Sequence, residues 1–159
     1  MKTVPSCLEC GKPVSWGIHL FSRRIYGHTL CVKDQCKLEE SGATALTVDL
    51  YLALKSRGFP VWLEYFDNYK HVDIAMPEKL YIEVNGPYSH TRNHNMNDLS
   101  RVVQSLEKNI PTIIVSNSML ENHESFEHAV NEISKACTIM MRTPEPPAIW
   151  QLISPAQLQ

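Results

Sequence analysis

The stretch V-D-I-A-M-P-E-K-L-Y-I-E-V-N-G, residues 72–86, decides how this chain folds. Two runs of alternating side chains flank a Pro-Glu-Lys turn, the pattern of an antiparallel hairpin. In the second run Tyr81, Glu83 and Asn85 share one face while Leu80, Ile82 and Val84 share the other; in the first, His71, Asp73 and Ala75 go together. A two-residue loop, Pro77-Glu78, pairs Asp73 with Ile82 and puts the two carboxylates on opposite faces. A three-residue loop, Pro77 to Lys79, or a bulge, sets Asp73 across from Glu83. The expectation is an odd loop or a bulge, with both acids on one face. Carboxylates so placed repel each other unless a cation lies between them or one takes up a proton. Oxygen ligands open to water suit Mg²⁺ or Mn²⁺ better than zinc. A metal held there polarises a phosphoryl oxygen and lowers the pKa of a bound water for in-line attack. Asp73 and Glu83 are therefore the candidate magnesium ligands.

Working outward, Ser41 to Thr44 supplies cap residues and Leu46, Leu50, Ala53 and Leu54 follow at helical spacing until Gly58 and Pro60. Val61 to Phe66 predicts a strand, Asp67-Asn68 a turn, His71 to Ala75 a second strand and Leu80 to Val84 a third. Asn97 or Asp98 caps a helix lined by Leu99, Val102, Val103 and Leu106. Pro111 to Val115 is a β-branched run suited to a buried strand, and Phe126, Val130, Ile133 and Cys137 mark a last helix. The succession helix, three strands, helix, strand, helix predicts an α/β fold with a mixed sheet flanked by helices. Residues 143–159 break the pattern with prolines and then offer Ile149, Trp150, Leu152 and Ile153, which either pack back onto the domain or meet a partner.

At 159 residues and 43% hydrophobic, the chain supports one main core and at most a small appendage. No apolar run reaches the length of a membrane helix, and no basic segment followed by an apolar core marks a secretory signal, so a cytoplasmic location without membrane contact is the expectation. The net charge of −2 conceals an asymmetry: residues 1–38 balance at +4 and the remainder at −6. A basic module approaching phosphate beside an acidic module collecting cations fits that division.

The cysteines divide the chain at the same place. Four of the five, Cys7-x2-Cys10 and Cys31-x4-Cys36, lie in the first 36 residues. Without a signal peptide, structural zinc accounts for them better than disulfides do. Four thiolates suit a closed tetrahedral site, and Gly11 lets the backbone turn so that amides face the sulfurs. Because the gap in the second pair is wide, His19 or His28 is an alternative ligand. A segment so short has almost no core of its own, and metal binding must supply much of its folding free energy. Three units are expected: 1–40, a zinc-ribbon-like module; 41–142, the main domain; and 143–159, a Pro-rich tail.

The order of elements, with V-D-I-A (72–75), I-E-V-N-G-P-Y-S-H (82–90) and N-D-L-S-R-V-V-Q-S-L-E-K-N-I-P-T-I-I-V (97–115), resembles the PD-(D/E)XK nuclease superfamily. It is closest to the very-short-patch-repair-like branch, and the resemblance covers about residues 42–137. The leading C-x-x-C-G-K module is similar to zinc-ribbon segments fused to such nuclease domains. The resemblance implies a restriction-endonuclease-like αβββαβ(α) core and Mg²⁺-dependent hydrolysis of a DNA phosphodiester. It also implies Asp73 and Glu83 as metal ligands, His90 as the family histidine, and Asp98 and Arg101 as the helix pair. Arg101 would then meet a phosphate or the developing negative charge.

The chain departs from the family pattern at two places in the catalytic region. Asn85 stands where the superfamily lysine is found; its amide oxygen can complete a metal shell, and Lys79 or Lys108 can take the cationic role. Thr47 stands where the first helix often carries a glutamate, with Asp49 or Glu64 as substitutes. Arg23 and Arg24, beside Phe21 and Tyr26, together with Lys33, are the candidate DNA contacts of the basic module. Two other readings stay open: a silent nuclease fold that binds DNA, and a zinc-containing protein-interaction module. One metal site per chain would make a homodimer the unit for a double-strand cut, with the tail as interface.

Overall fold

The computed structural model describes residues 4–68, 70–85 and 110–142. Its elements are α1 (Trp16–Tyr26), α2 (Val32–Glu40), α3 (Ala45–Ser56), β1 (Trp62–Phe66), β2 (His71–Met76), β3 (Leu80–Asn85), β4 (Thr112–Ser116) and α4 (His123–Arg142), with a 3₁₀ turn at Asn117–Met119. The strands form one sheet in the order β1-β2-β3-β4. The first two pairings are antiparallel and β3-β4 is parallel, so the sheet is mixed. A parallel pair needs a crossover, which falls to residues 86–109 and lies outside the described residues together with the helix expected at Leu99–Leu106. The 143–159 tail also lies outside them.

Local chemistry sets these elements. Thr44 caps α3 by accepting from the Thr47 N–H at 3.2 Å, and Thr47, read as the place of a family glutamate, is buried in that cap with its hydroxyl 2.9 Å from that of Thr44. Asp67 closes the β1-β2 turn by accepting the Lys70 N–H at 2.9 Å, while Asn68 takes a left-handed φ of 75° that asparagine tolerates. The next turn fixes the register. Lys79 N–H donates to Met76 C=O at 3.0 Å, with Pro77 and Glu78 at its corners and Glu78 at a φ of 62°, the pattern of a type II turn. Met76 pairs with Leu80 and Ile74 with Ile82, so the loop is the three-residue Pro77–Lys79.

One sheet face makes the core: Ile74, Met76, Leu80, Ile82 and Val115 pack in a single cluster with Leu50 and Leu54 of α3 and Val130, Ile133 and Cys137 of α4. Cys7, Val14, Leu30 and Leu38 belong to the same cluster, so the boundary expected at residue 40 is not a gap in the core. Lys55 of α3 also reaches Glu9 at 3.4 Å. The N-terminal segment differs from a β-ribbon. Among the described residues up to 40 it holds one β-bridge, Ser6 to Pro13, and two helices. The reason is local: Ser15 caps α1 and Gly27, at a φ of 68°, ends it, while Cys31 begins α2. No helix among the described residues is long and apolar enough to cross a membrane.

Candidate functional site

Two groups of metal-ligand side chains emerge, one at each end of the charge asymmetry. The first is built by a tight turn and a helix start. Cys7 N–H donates to Lys12 C=O at 2.8 Å and Gly11 N–H to Cys7 C=O at 2.9 Å, folding the Cys7–Cys10 knuckle back on itself. Gly11 takes a φ of 68°, which glycine adopts without penalty. Leu8 N–H donates to Thr29 C=O at 2.8 Å and brings the knuckle against the N-terminus of α2. There Cys31 is the N-cap and Asp34 lies in the first turn.

Cys7, Cys10, Cys31 and Asp34 thereby place one ligand atom each within 4.8 Å of one another. Cys7 and Cys31 donate to Asp34 Oδ2 at 3.3 and 3.1 Å, and the Cys10 and Cys31 sulfurs are 3.9 Å apart. Two sulfurs on a tetrahedral zinc, with Zn–S near 2.3 Å, stand roughly 3.8 Å apart. The other carboxylate oxygen, Asp34 Oδ1, accepts from Lys37 Nζ at 2.7 Å, an outer-shell contact that aims Oδ2 at the thiols. Burial by itself would raise the Asp34 carboxyl; hydrogen bonds from Lys37, Cys31 and Cys7 overcome it and hold the group well below the usual carboxylate range. Burial pushes the Cys7 thiol up to about 11, opposed by the amides of Cys10, Cys31 and Glu9 facing its sulfur. These residues can hold a metal ion such as zinc, which would displace the thiol protons.

The fourth member of the group is Asp34 and not Cys36. Cys36 is exposed on α2, five residues beyond Cys31, where the helical turn carries it away from the sulfurs. Neither histidine substitutes. His19 Nδ1 is 2.8 Å from Thr29 Oγ1, and His28 stands half-buried, its pKa lowered by burial and by Arg23. The clue was present in the sequence: Cys31-x2-Asp34 repeats the spacing of Cys7-x2-Cys10. All five cysteines are free thiols.

The second group lies across the β1-β2-β3 ladders, beside a second buried cluster of Val72, Ala75, Tyr81 and Ile110. Continuing the Ile74-Ile82 register sets Asp73 beside Glu83, and Glu64 falls between the Leu63-Ile74 and Tyr65-Val72 pairs, so it stands beside Asp73 on the other side. Three carboxylates thus form a row across β1, β2 and β3, and Ile114 of β4 ends it. The β2-β3 ladder itself opens here: the Val84 N–H donates to Asp73 Oδ2 at 2.7 Å, and the Asp73 amide faces the Glu83 carboxylate. Burial raises the pKa of Glu83, and the Asp73 charge adds to it, against Lys70. Glu64 is raised for the same reasons, burial first and then Asp73. Glu64 also holds a φ of 47°, a strained conformation for glutamate.

A lysine completes this row, and it is neither of the two the sequence suggested. Lys70 Nζ reaches Glu83 Oε1 at 3.2 Å and stands 5.4 Å from the Tyr81 ring centroid, its side chain only 8% exposed. Lys79 instead extends to Met140 C=O at 3.4 Å on α4. Asp49, the other substitute for the family glutamate, is exposed on α3 and interacts with His28. Asn85 ends β3 opposite Ser116; its side chain, with His90, Asp98, Arg101 and Lys108, lies outside the described residues. Arg23 and Arg24 are exposed on the last turn of α1, and Lys33 is exposed on the first turn of α2. Comparison with protein-family models, with curated proteins and with solved structures finds no match to this chain.

Proposed function

We propose that this chain is a metal-dependent deoxyribonuclease whose reaction centre is the row Glu64, Asp73 and Glu83 with Lys70, and whose thiol site holds a structural zinc ion. The observation that carries the reading is the convergence of three carboxylates and a buried lysine on one sheet face, where two of the acids have raised pKa values. The strained φ of Glu64 at the same place supports it, since such strain collects at functional positions.

The donor set fits a hard, oxygen-preferring ion, Mg²⁺ or Mn²⁺. Bound there, that ion supplies Lewis acidity toward a phosphoryl oxygen and a more acidic water. Asp73 orients through the Val84 amide, so one of its oxygens is already directed. The Lys70 ammonium offers a positive charge for a phosphate oxygen, the role the Asn85 amide cannot fill. Glu64 contributes a third oxygen from the edge strand. The basic N-terminal segment, with Arg23, Arg24 and Lys33 exposed, supplies phosphate contacts.

One observation favours a second reading, a nuclease fold that binds DNA without cutting it. The Lys70–Glu83 ion pair neutralises an oxygen that a metal would otherwise take. Incubating plasmid and single-stranded DNA with Mg²⁺ or Mn²⁺ separates the two. Cleavage above that of a Glu83→Ala control supports the nuclease; salt-dependent binding with no cleavage above that control supports the silent fold.

A further inference from the structure

Helix α1 is turned the wrong way round for a helix of a small domain. Its outward side carries Trp16, Leu20, Phe21 and Ile25, at 52, 66, 56 and 55% exposure. Its inward side packs Ile18 and Tyr26 against the core and is otherwise held by polar side chains. Buried Ser22 donates to His28 C=O at 2.8 Å and accepts the Leu30 N–H at 2.9 Å, while His19 Nδ1 meets Thr29 Oγ1 at 2.8 Å. Burial of apolar surface therefore does not explain why these four side chains are where they are.

The charge of this face narrows what can cover it. Trp16, Leu20 and Arg24 follow at i, i+4 and i+8 along the middle of the exposed arc, with Phe21 on one side and Arg23 on the other. The helix contains two arginines and no acidic residue. A parallel pairing of two copies through this face would bring the Arg24 residues together, and like charges repel. The Trp16 ring is also held in place. It meets the His19 ring edge-on, with centroids 5.3 Å apart and planes at 85°, and His19 is itself fixed by Thr29. A pre-positioned, half-exposed aromatic at one end of a helix face that carries two arginines at its other end fits flat apolar groups joined by anions.

We propose that the outward face of α1 binds unstacked nucleobases: Trp16 and Phe21 stack on the bases of a single-stranded or locally unpaired DNA segment, and Arg23 and Arg24 take its phosphates. Leu20 and Ile25 fill the space beside the opened bases, as apolar wedges do at distorted steps. The inference rests on the DNA reading above and deepens it. It makes the preferred substrate DNA with exposed bases, and it gives the zinc site the role of orienting α1 toward that DNA.

The experiment uses the full chain with Trp62→Phe and Trp150→Phe, which leaves Trp16 as the one tryptophan of the three. It is titrated with an oligothymidylate and with a fully paired duplex at low and high salt, and its zinc content and mass in solution are checked. The expected result is quenching of Trp16 emission by the oligothymidylate and weaker quenching by the duplex. Trp16→Ala with Phe21→Ala should lower single-strand affinity roughly tenfold to a hundredfold with an unchanged salt slope. Arg23→Gln with Arg24→Gln should instead flatten that slope by about 1.4 units. DNA binding with unquenched Trp16 and undiminished affinity in the double alanine variant overturns this proposal and leaves the DNA reading standing. Absence of binding to either DNA at low salt overturns both. A dimer that Trp16→Ala dissolves assigns the face to a second copy and also overturns the proposal.

Discussion

The thiol corner at the start of α2 and the carboxylate row on the sheet are both clusters of metal-ligand groups, but they are held together differently. In the corner, the Cys7 and Cys31 thiols donate to one carboxylate, and Cys7, Cys10, Cys31 and Asp34 sit within 4.8 Å of one another. It is the one group of three or more such atoms that close among the described residues. In the row, backbone amides do the donating: Val84 N–H to Asp73 and the Asp73 amide to Glu83. Its three acids are spaced by the sheet; burial and the Asp73 charge raise Glu64 and Glu83, and Lys70 offsets this at Glu83.

The largest effect separating the two regions is on folding. Removing zinc with a chelator, or Cys7→Ala, should unfold the 4–40 segment, since metal binding in such modules contributes on the order of 10 kcal/mol. Circular dichroism should show the loss of α1 and α2, and an unchanged spectrum would make the corner a set of reduced thiols. Within the corner, Asp34→Ala should weaken zinc affinity at least tenfold, while Cys36→Ser leaves it unchanged and Asp34→Cys keeps a tight site. Competition with a chromogenic chelator measures all three; dependence on Cys36 would return the fourth ligand to the wider cysteine pair.

The row should respond to pH through its carboxylates, as the corner does through its thiols. The Glu64 and Glu83 carboxyls hold their protons above the usual carboxylate range, so Mn²⁺ must compete with protons there. Mn²⁺ affinity should fall on acidification at a higher pH than ordinary carboxylates allow. In the metal-free chain the sign is the reverse for stability: the raised folded pKa values favour the fold as pH falls toward the unfolded values, and that contribution is lost as pH rises through the folded ones. The smallest effect expected is on melting temperature. Glu64→Gly removes the strain at φ 47° and one repelling charge, and should raise the midpoint by a few degrees, about 1 kcal/mol, while reducing DNA cleavage. A lower midpoint would mean that Glu64 is held there by favourable contacts.

Much of the sheet domain was legible because period and punctuation agreed. Gly58 and Pro60 bounded α3, Asp67-Asn68 marked the turn, and the Phe126, Val130, Ile133, Cys137 stripe marked α4. The hairpin was legible only conditionally, since alternation is blind to register until the loop length is known; Pro77–Lys79 supplied it. The N-terminal helices were not legible from a search for a core face, because α1 packs Ile18 and Tyr26 inward but turns Trp16, Leu20, Phe21 and Ile25 to solvent. Asp34 was hidden behind Cys36, whose thiol looked like the better ligand until the start of α2 at Cys31 turned it away. Lys70 sits in a turn, and nothing in a linear pattern shows that its side chain returns to Glu83.

The central claim is that one chain carries two chemically distinct metal sites, and counting Mn²⁺ by electron paramagnetic resonance on zinc-loaded protein tests it most directly. The account predicts one bound Mn²⁺ per chain that Asp73→Asn abolishes and Lys33→Ala leaves in place, with zinc retained in both. Bound Mn²⁺ that survives Asp73→Asn, or no bound Mn²⁺ in the unmutated chain, would contradict it.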